Sequence, residues 1–285
     1  MDQAARLREL VREKESGARV LAVVSGKGGV GKTNLTVNLG LVLAKWGYKV
    51  LIFDADLGLG NVDILLGLVP RWDLRQVING EKSLAEIIIR GPAGLQLIPG
   101  ASGLQELADL DSFRQEKLLQ ELESLATRQD FVLLDAGAGI SRKILSFALA
   151  AGEVLVVTTP EPTALTDAYG LIKILARLGT KNYLIVNRVA SETEGREAAQ
   201  RLQQAVRRFL HLDLPLLGFI AEDRAVGQAV HRQQPFVLSA SGVKAALDVE
   251  AIARKLLGRA ASESKAGSDF FQKLGRLFGR RKGDF

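Results

Sequence analysis

Val20-Leu21-Ala22-Val23-Val24-Ser25-Gly26-Lys27-Gly28-Gly29-Val30-Gly31-Lys32-Thr33 is the stretch that decides the fold of this chain. Its first part is apolar up to Ser25, as in a strand covered on both faces. Gly26 to Thr33 then follows the pattern G-x-x-x-x-G-K-T, and Leu35, Val37, Leu39, Leu41, Val42 and Leu43 give a helix that must be largely buried. Strand, glycine-rich loop and helix in this order form the setting a phosphate-cradling loop requires. Glycines let the backbone curl so that successive N–H groups face one anion. The new helix adds a positive partial charge at its N-terminus. Lys32 is expected to reach the β- and γ-phosphates of a nucleotide, and the Thr33 hydroxyl to bind Mg²⁺. Gly26, Lys27, Gly28, Gly29, Val30, Gly31, Lys32 and Thr33 are thus the expected phosphate-binding residues.

Working outward, short apolar runs alternate with helical patterns. The runs predict strands over Val20–Ser25, Lys49–Asp54, Leu95–Pro99, Phe131–Asp135, Val154–Thr158, Tyr183–Asn187 and Leu216–Ile220. Helical periodicity marks Lys32–Trp46, Phe113–Thr127, Ile140–Ala150, Thr163–Leu178 and Glu192–Phe209. This alternation predicts an α/β fold, a mostly parallel sheet flanked by helices on both faces. Ligands of such sheets bind at the carboxyl ends of the strands. Two strands end there in carboxylates: Phe53-Asp54-Ala55-Asp56, and Phe131-Val132-Leu133-Leu134-Asp135. An apolar strand closing on one Asp is a Walker B form, so Asp135 is a candidate Mg²⁺ ligand. Asp54 and Asp56 would repel each other without a cation or polarised water nearby. A third strand ends in Asn187-Arg188, whose amide could read the edge of an adenine. The alternative for these residues is an ordinary role in loops and caps.

Gly-Lys-Gly-Gly-Val-Gly-Lys-Thr, with its extra lysine at position 27, resembles the deviant P-loop of the MinD/ParA class of P-loop NTPases. The resemblance implies an ATPase whose cofactors are ATP and Mg²⁺. It implies that Lys27 reaches across a nucleotide-sandwich homodimer to the partner's phosphate. It assigns Asp56 to the attacking water and Asp54 to the neighbourhood of Mg²⁺, so that Lys27, Lys32 and Asp56 form the catalytic set. Thr33, Asp54 and Asp135 form the metal set. Asn187 and Arg188, with Ala221 and Glu222 of Gly218–Asp223, correspond to the base-side loops. Thr159-Pro160-Glu161 and Asp167 correspond to a region at the dimer interface. Gly137 stands where MinD usually carries proline, a departure within the switch loop.

The two ends add more. In 269–285, Phe270, Phe271, Leu274, Leu277 and Phe278 fall within about 120° of helical arc, with Lys273, Arg276, Arg280, Arg281 and Lys282 mostly off that face. Such a face suits an anionic membrane surface. It closely resembles the membrane-targeting helix of MinD, and the alternative is a helix packed on its own domain or on a partner. At the start, Asp2-Gln3-Ala4-Ala5-Arg6-Leu7-Arg8 matches the D-Q-A-x-x-L-R segment of the FlhG (FleN/YlxH) flagellar-number ATPases. There the segment stimulates the GTPase FlhF, which implies that role for Asp2, Gln3, Ala4, Leu7 and Arg8. The alternative is a generic charged helix. The domains read as an N-terminal helix (1–16), a P-loop domain (19–258), a linker (259–268) and a C-terminal helix (269–285).

Composition narrows the field. The 285 residues are 47% hydrophobic, enough for a sizeable core, and include no cysteine. Disulfides, thiolate zinc sites and cysteine-held iron–sulfur clusters are excluded, and with them a nitrogenase-reductase-like role. No apolar run is long enough to span a bilayer and the N-terminus lacks a signal-peptide pattern, so a cytoplasmic protein is expected; the MinD resemblance of the tail implies that it becomes peripheral on the inner membrane face in the ATP state. Of the net charge of +6, residues 265–285 carry +4, residues 1–19 carry +1 and the body from 20 to 264 only +1. Bulk nucleic-acid binding usually needs a more basic body. The resemblance therefore implies an ATP-dependent dimer at the membrane that controls flagellar number and placement, with other flagellar components as possible partners. A division-site ATPase and a DNA-partitioning ATPase of the same class are the rival readings.

Overall fold

The computed structural model describes residues 17–55, 61–100, 112–259 and 266–279, and of residues 112, 113, 266–269, 278 and 279 only the backbone. The expected segment 1–16, Asp56 and residues 280–285 lie outside the described residues. The strands are β1 (Arg19–Ser25), β2 (Val50–Ala55), β3 (Ile89–Arg90), β4 (Gln96–Ile98), β5 (Phe131–Ala138), β6 (Glu153–Thr158), β7 (Lys181–Val189) and β8 (Leu216–Ala221). They form one eight-stranded sheet in the order β3-β4-β2-β5-β1-β6-β7-β8. Every pairing is parallel except β3 with β4. β3 is the strand that the sequence reading lacked, since two residues are too short to show a period.

The helices are α1 (Lys32–Lys45), α2 (Val62–Leu65), α3 (Leu74–Ile78), α4 (Leu84–Ile87), α5 (Ser112–Ala126), α6 (Arg142–Ala151), α7 (Pro162–Arg177), α8 (Glu192–Leu210), α9 (Arg224–His231), α10 (Phe236–Ser239), α11 (Lys244–Leu257) and α12 (Ala266–Gly279). Two apolar layers flank the sheet. One holds α1, α10 and α11 with Leu39, Phe236 and Ile252. The other holds α5 to α8 and α12, with Leu122, Phe147, Ile172, Leu202 and Phe271. Alternation along a strand sends neighbours to opposite layers. In β2, Leu51 and Phe53 enter the α5–α8 layer, whereas Val50 and Ile52 enter the α1 layer.

The C-terminal helix lies docked on its own domain in this conformation, the alternative that its sequence left open. It starts at Ala266, three residues before the expected Asp269, and shortens the linker accordingly. Its apolar face is not turned outward. Phe270, Phe271 and Leu274 are each at 0% exposure, and Leu277 is half-buried against the same layer. Phe271 meets Phe53 edge-on at 5.9 Å between ring centroids, and Phe270 meets Phe271 at 4.6 Å. The helix crosses Leu119 of α5 closely: a Cβ on Gly275 would stand 2.3 Å from Leu119 Cδ1. The amphipathic pattern that suits a membrane suits an inter-helix groove equally, because both select apolar area on one face.

Candidate nucleotide-binding site

The site forms where the carboxyl ends of β1, β2 and β5 meet the start of α1. Gly31 has φ 87°, in the left-handed region, and is the N-cap of α1. Asn187 closes over it: its Nδ2 donates to the Val30 carbonyl at 2.7 Å, and its Oδ1 accepts from Arg188 N at 2.9 Å. A Cβ on Gly31 would lie 2.2 Å from Asn187 Nδ2. In this conformation its amide is committed on both sides to backbone and braces the phosphate loop against β7.

Asp135 is fully buried, and Asp54 beside it is at 2% exposure. The two are register partners on adjacent parallel strands. Asp135 Oδ1 accepts from Lys32 Nζ at 2.8 Å and from Thr36 Oγ1 at 3.1 Å. Its other oxygen, Oδ2, is buried without a hydrogen-bond partner. A buried carboxylate oxygen left this way is costly, and a hard cation at this position would satisfy it. Thr33, one residue beyond Lys32 at the start of α1, is half-buried. The donor set of hydroxyl and carboxylate oxygens fits Mg²⁺. Thr36 escaped the sequence reading; the available signal was its position one helical turn after Lys32 on the same face.

Lys27 does not turn into its own phosphate loop. Its Nζ bonds Glu161 Oε2 at 2.8 Å and Thr163 Oγ1 at 3.0 Å, both at the start of α7. The lysine is 41% exposed and the glutamate 57%. The ammonium holds the Glu161 carboxyl below the usual carboxylate range, and Arg188 adds to the effect. Beyond the loop lies a cavity of ≈ 730 Å³ lined by Gly29, Gly31 and Asn34 at one end and by Asn187, Arg188, Ala221 and Glu222 at the other. The expected base-side residues are thus brought together. Arg188 and Glu222 pair at 3.0 Å across its mouth. Val226 and Phe236 supply apolar walls, and neither was foreseen.

Phosphate loop, buried carboxylate, second lysine and adjoining cavity are the parts of a nucleotide-binding domain. Residues 21–236 match the family model of the CobQ/CobB/MinD/ParA nucleotide binding domain. The chain belongs to this family. It is a MinD/ParA-family P-loop ATPase. Its similarity to "Antiactivator FleN" of Pseudomonas aeruginosa is 41% identity over 240 residues, 84% of this chain and 86% of that protein. With "Flagellum site-determining protein YlxH" of Helicobacter pylori it shares 36% identity, over 82% of each chain. Among solved structures of the family, the septum site-determining protein MinD of Pyrococcus horikoshii, complexed with Mg-ADP, superposes with a TM-score of 0.68 at 30% identity. That superposition covers 84% of this chain and 96% of the other.

Proposed function

We propose that this ATPase switches between a monomer and an ATP-bridged homodimer, that the dimer binds the membrane through α12, and that the cycle governs flagellar number and placement. The position of Lys27 carries the proposal. Its ammonium reaches outward to α7 and away from its own loop, where a second subunit could receive it. The likeness to FleN and YlxH supports the flagellar role. The N-terminal segment containing Asp2, Gln3, Ala4, Leu7 and Arg8 would stimulate the GTPase FlhF, by its resemblance to the FlhG family.

The chain's own groups suggest the order of events. Lys32 is lent to Asp135 in this conformation. An arriving triphosphate would draw the ammonium onto its oxygens and leave the Asp135 carboxylate, with Thr36 still on Oδ1, to a cation. Mg²⁺, held by Thr33 and Asp135 with Asp54 beside them, would neutralise phosphate charge. Asp56 would orient the attacking water. Catalysis of this kind is positioning and charge stabilisation, so basal turnover should be slow until a partner completes the site.

The tail must leave its groove to reach a membrane. Exposing Phe270, Phe271 and Leu274 to water would cost about 5–9 kcal/mol at roughly 1.5–3 kcal/mol per side chain. The helix therefore exchanges one apolar surface for another and does not dangle in solvent. Two tails on one dimer would bind with avidity that a monomer lacks.

Sedimentation with anionic vesicles tests the proposal, with ATP, with ADP and after removal of 266–285. Binding that needs both ATP and the tail supports it. Protein that stays in solution in every state would overturn the membrane step and leave α12 a structural helix.

A further inference from the structure

We propose that Asn38 is a positioning residue for the base end of the nucleotide site, although it does not line that site. This inference rests on the cavity beside the phosphate loop holding a nucleotide.

Asn38 sits in the middle of α1 at 0% exposure, an amide inside a helix buried along most of its length. Its burial is offset by a hydrogen bond at each end of the amide. Nδ2 donates to the Asn34 carbonyl at 2.8 Å, and Oδ1 accepts from Val237 N at 3.1 Å. Val237 is the second residue of α10, and the N-cap of that helix is Pro235, which provides no side-chain cap. First-turn N–H groups have no partner within their own helix. Asn38 thus caps α10 from a different helix. A second strap runs from Lys45 of α1, whose Nζ donates to the Val237 carbonyl at 3.4 Å. Both sides of Val237 are therefore held by α1.

What these straps position is Phe236, the residue before Val237, which lines the nucleotide cavity and is 3% exposed. Asn34, held at its carbonyl by Asn38, lines the same cavity on the side of the phosphate loop. One buried amide joins two walls: the helix that grips phosphate and the segment facing the base and sugar. A triphosphate lacking base and sugar needs only the first wall. A nucleoside triphosphate needs both at a fixed separation.

The test compares Mg·ATP with inorganic tripolyphosphate as competitors of a fluorescent ADP analogue, in the full-length chain. Asn38→Leu should weaken ATP about tenfold and leave tripolyphosphate within twofold. Lys45→Met, at the exposed strap, should shift the same ratio by a smaller factor and serves if Asn38→Leu fails to fold. A purely structural role would lower melting temperature and weaken both competitors equally. That result, or an unchanged ratio in both variants, would overturn the proposal. Wild-type protein that does not prefer ATP over tripolyphosphate would instead refute the nucleotide reading of the cavity.

Discussion

Phe271 of the C-terminal helix lies edge-on to Phe53 of β2, 5.9 Å between ring centroids, and the residue after Phe53 is Asp54 of the nucleotide site. The pleat sends Phe53 into the layer that holds the tail, and Asp54, its neighbour in the strand, to the opposite side of the sheet. Tail and candidate nucleotide site therefore flank the same strand on its two faces.

Truncating Phe271 to Ala should cost about 3–5 kcal/mol, as expected for a fully buried aromatic in a packed core. Denaturant unfolding measures it. A loss below about 1 kcal/mol would mean that the groove closes without the tail.

Gly275→Val drives a branched side chain into Leu119. Overpacking should destabilise the docked state by about 1–3 kcal/mol. In the membrane cycle, that loss biases the tail toward release. Vesicle binding without nucleotide should rise relative to wild type, and equal sedimentation of the two proteins would contradict the docked helix as a restraint.

Asp135→Ala leaves the Lys32 ammonium buried without its partner. Breaking a buried pair from one side costs about 3–5 kcal/mol, and nucleotide affinity should lose its Mg²⁺ dependence. Calorimetry with and without Mg²⁺ reads both effects; a stable variant with unchanged Mg²⁺ dependence would remove Asp135 from the metal set.

Glu161→Gln acts at an exposed pair, so melting temperature should not move measurably. Dimer formation with ATP should rise, because Lys27 loses its ionic partner on α7 and is held there only by the Thr163 hydroxyl. Light scattering with ATP and with ADP distinguishes the cases. The carboxyl of Glu161 is depressed by Lys27, so the pair is intact above the ordinary glutamate value and is lost as pH falls through the lowered one. At neutral pH it is fully formed.

Glu86 provides an acid titration marker far from the nucleotide. Hydrogen bonds from the Ser83 backbone N–H, the Lys82 ammonium and the Ser83 hydroxyl lower its pKa from 4.5 to about 2. Its contribution to stability is present above pH 4.5 and fades as pH drops toward about 2. Carboxyl chemical shifts across that range should show a titration near the lower value, and an ordinary value would mean the capping box of α4 is open in solution.

The phosphate loop and the central strands were legible because both signals are local. A glycine-rich turn between an apolar strand and an apolar helix carries its own geometry, and β1, β5 and β6 are apolar nearly throughout. Asp135 announced itself as the one charge closing such a strand. Short elements such as β3, α9 and α10 gave no period to read, so the wall containing Val226 and Phe236 went unseen. The long-range partners of Asn187, Lys27 and Asn38, at Val30, Glu161 and Val237, lie 134 to 199 residues away in the chain, beyond any spacing rule.

By itself the sequence determined the fold class and the family, because the phosphate-loop pattern and the strand–helix alternation rest on residue type at short spacing. Tertiary structure decided what spacing leaves open. The apolar stripe of α12 is one pattern with two solutions, a bilayer or a groove, and only packing against Phe53 and Leu119 selects the groove in this conformation. Likewise a lysine at position 27 has a fixed charge but no fixed direction until α7 offers Glu161 and Thr163 beside it.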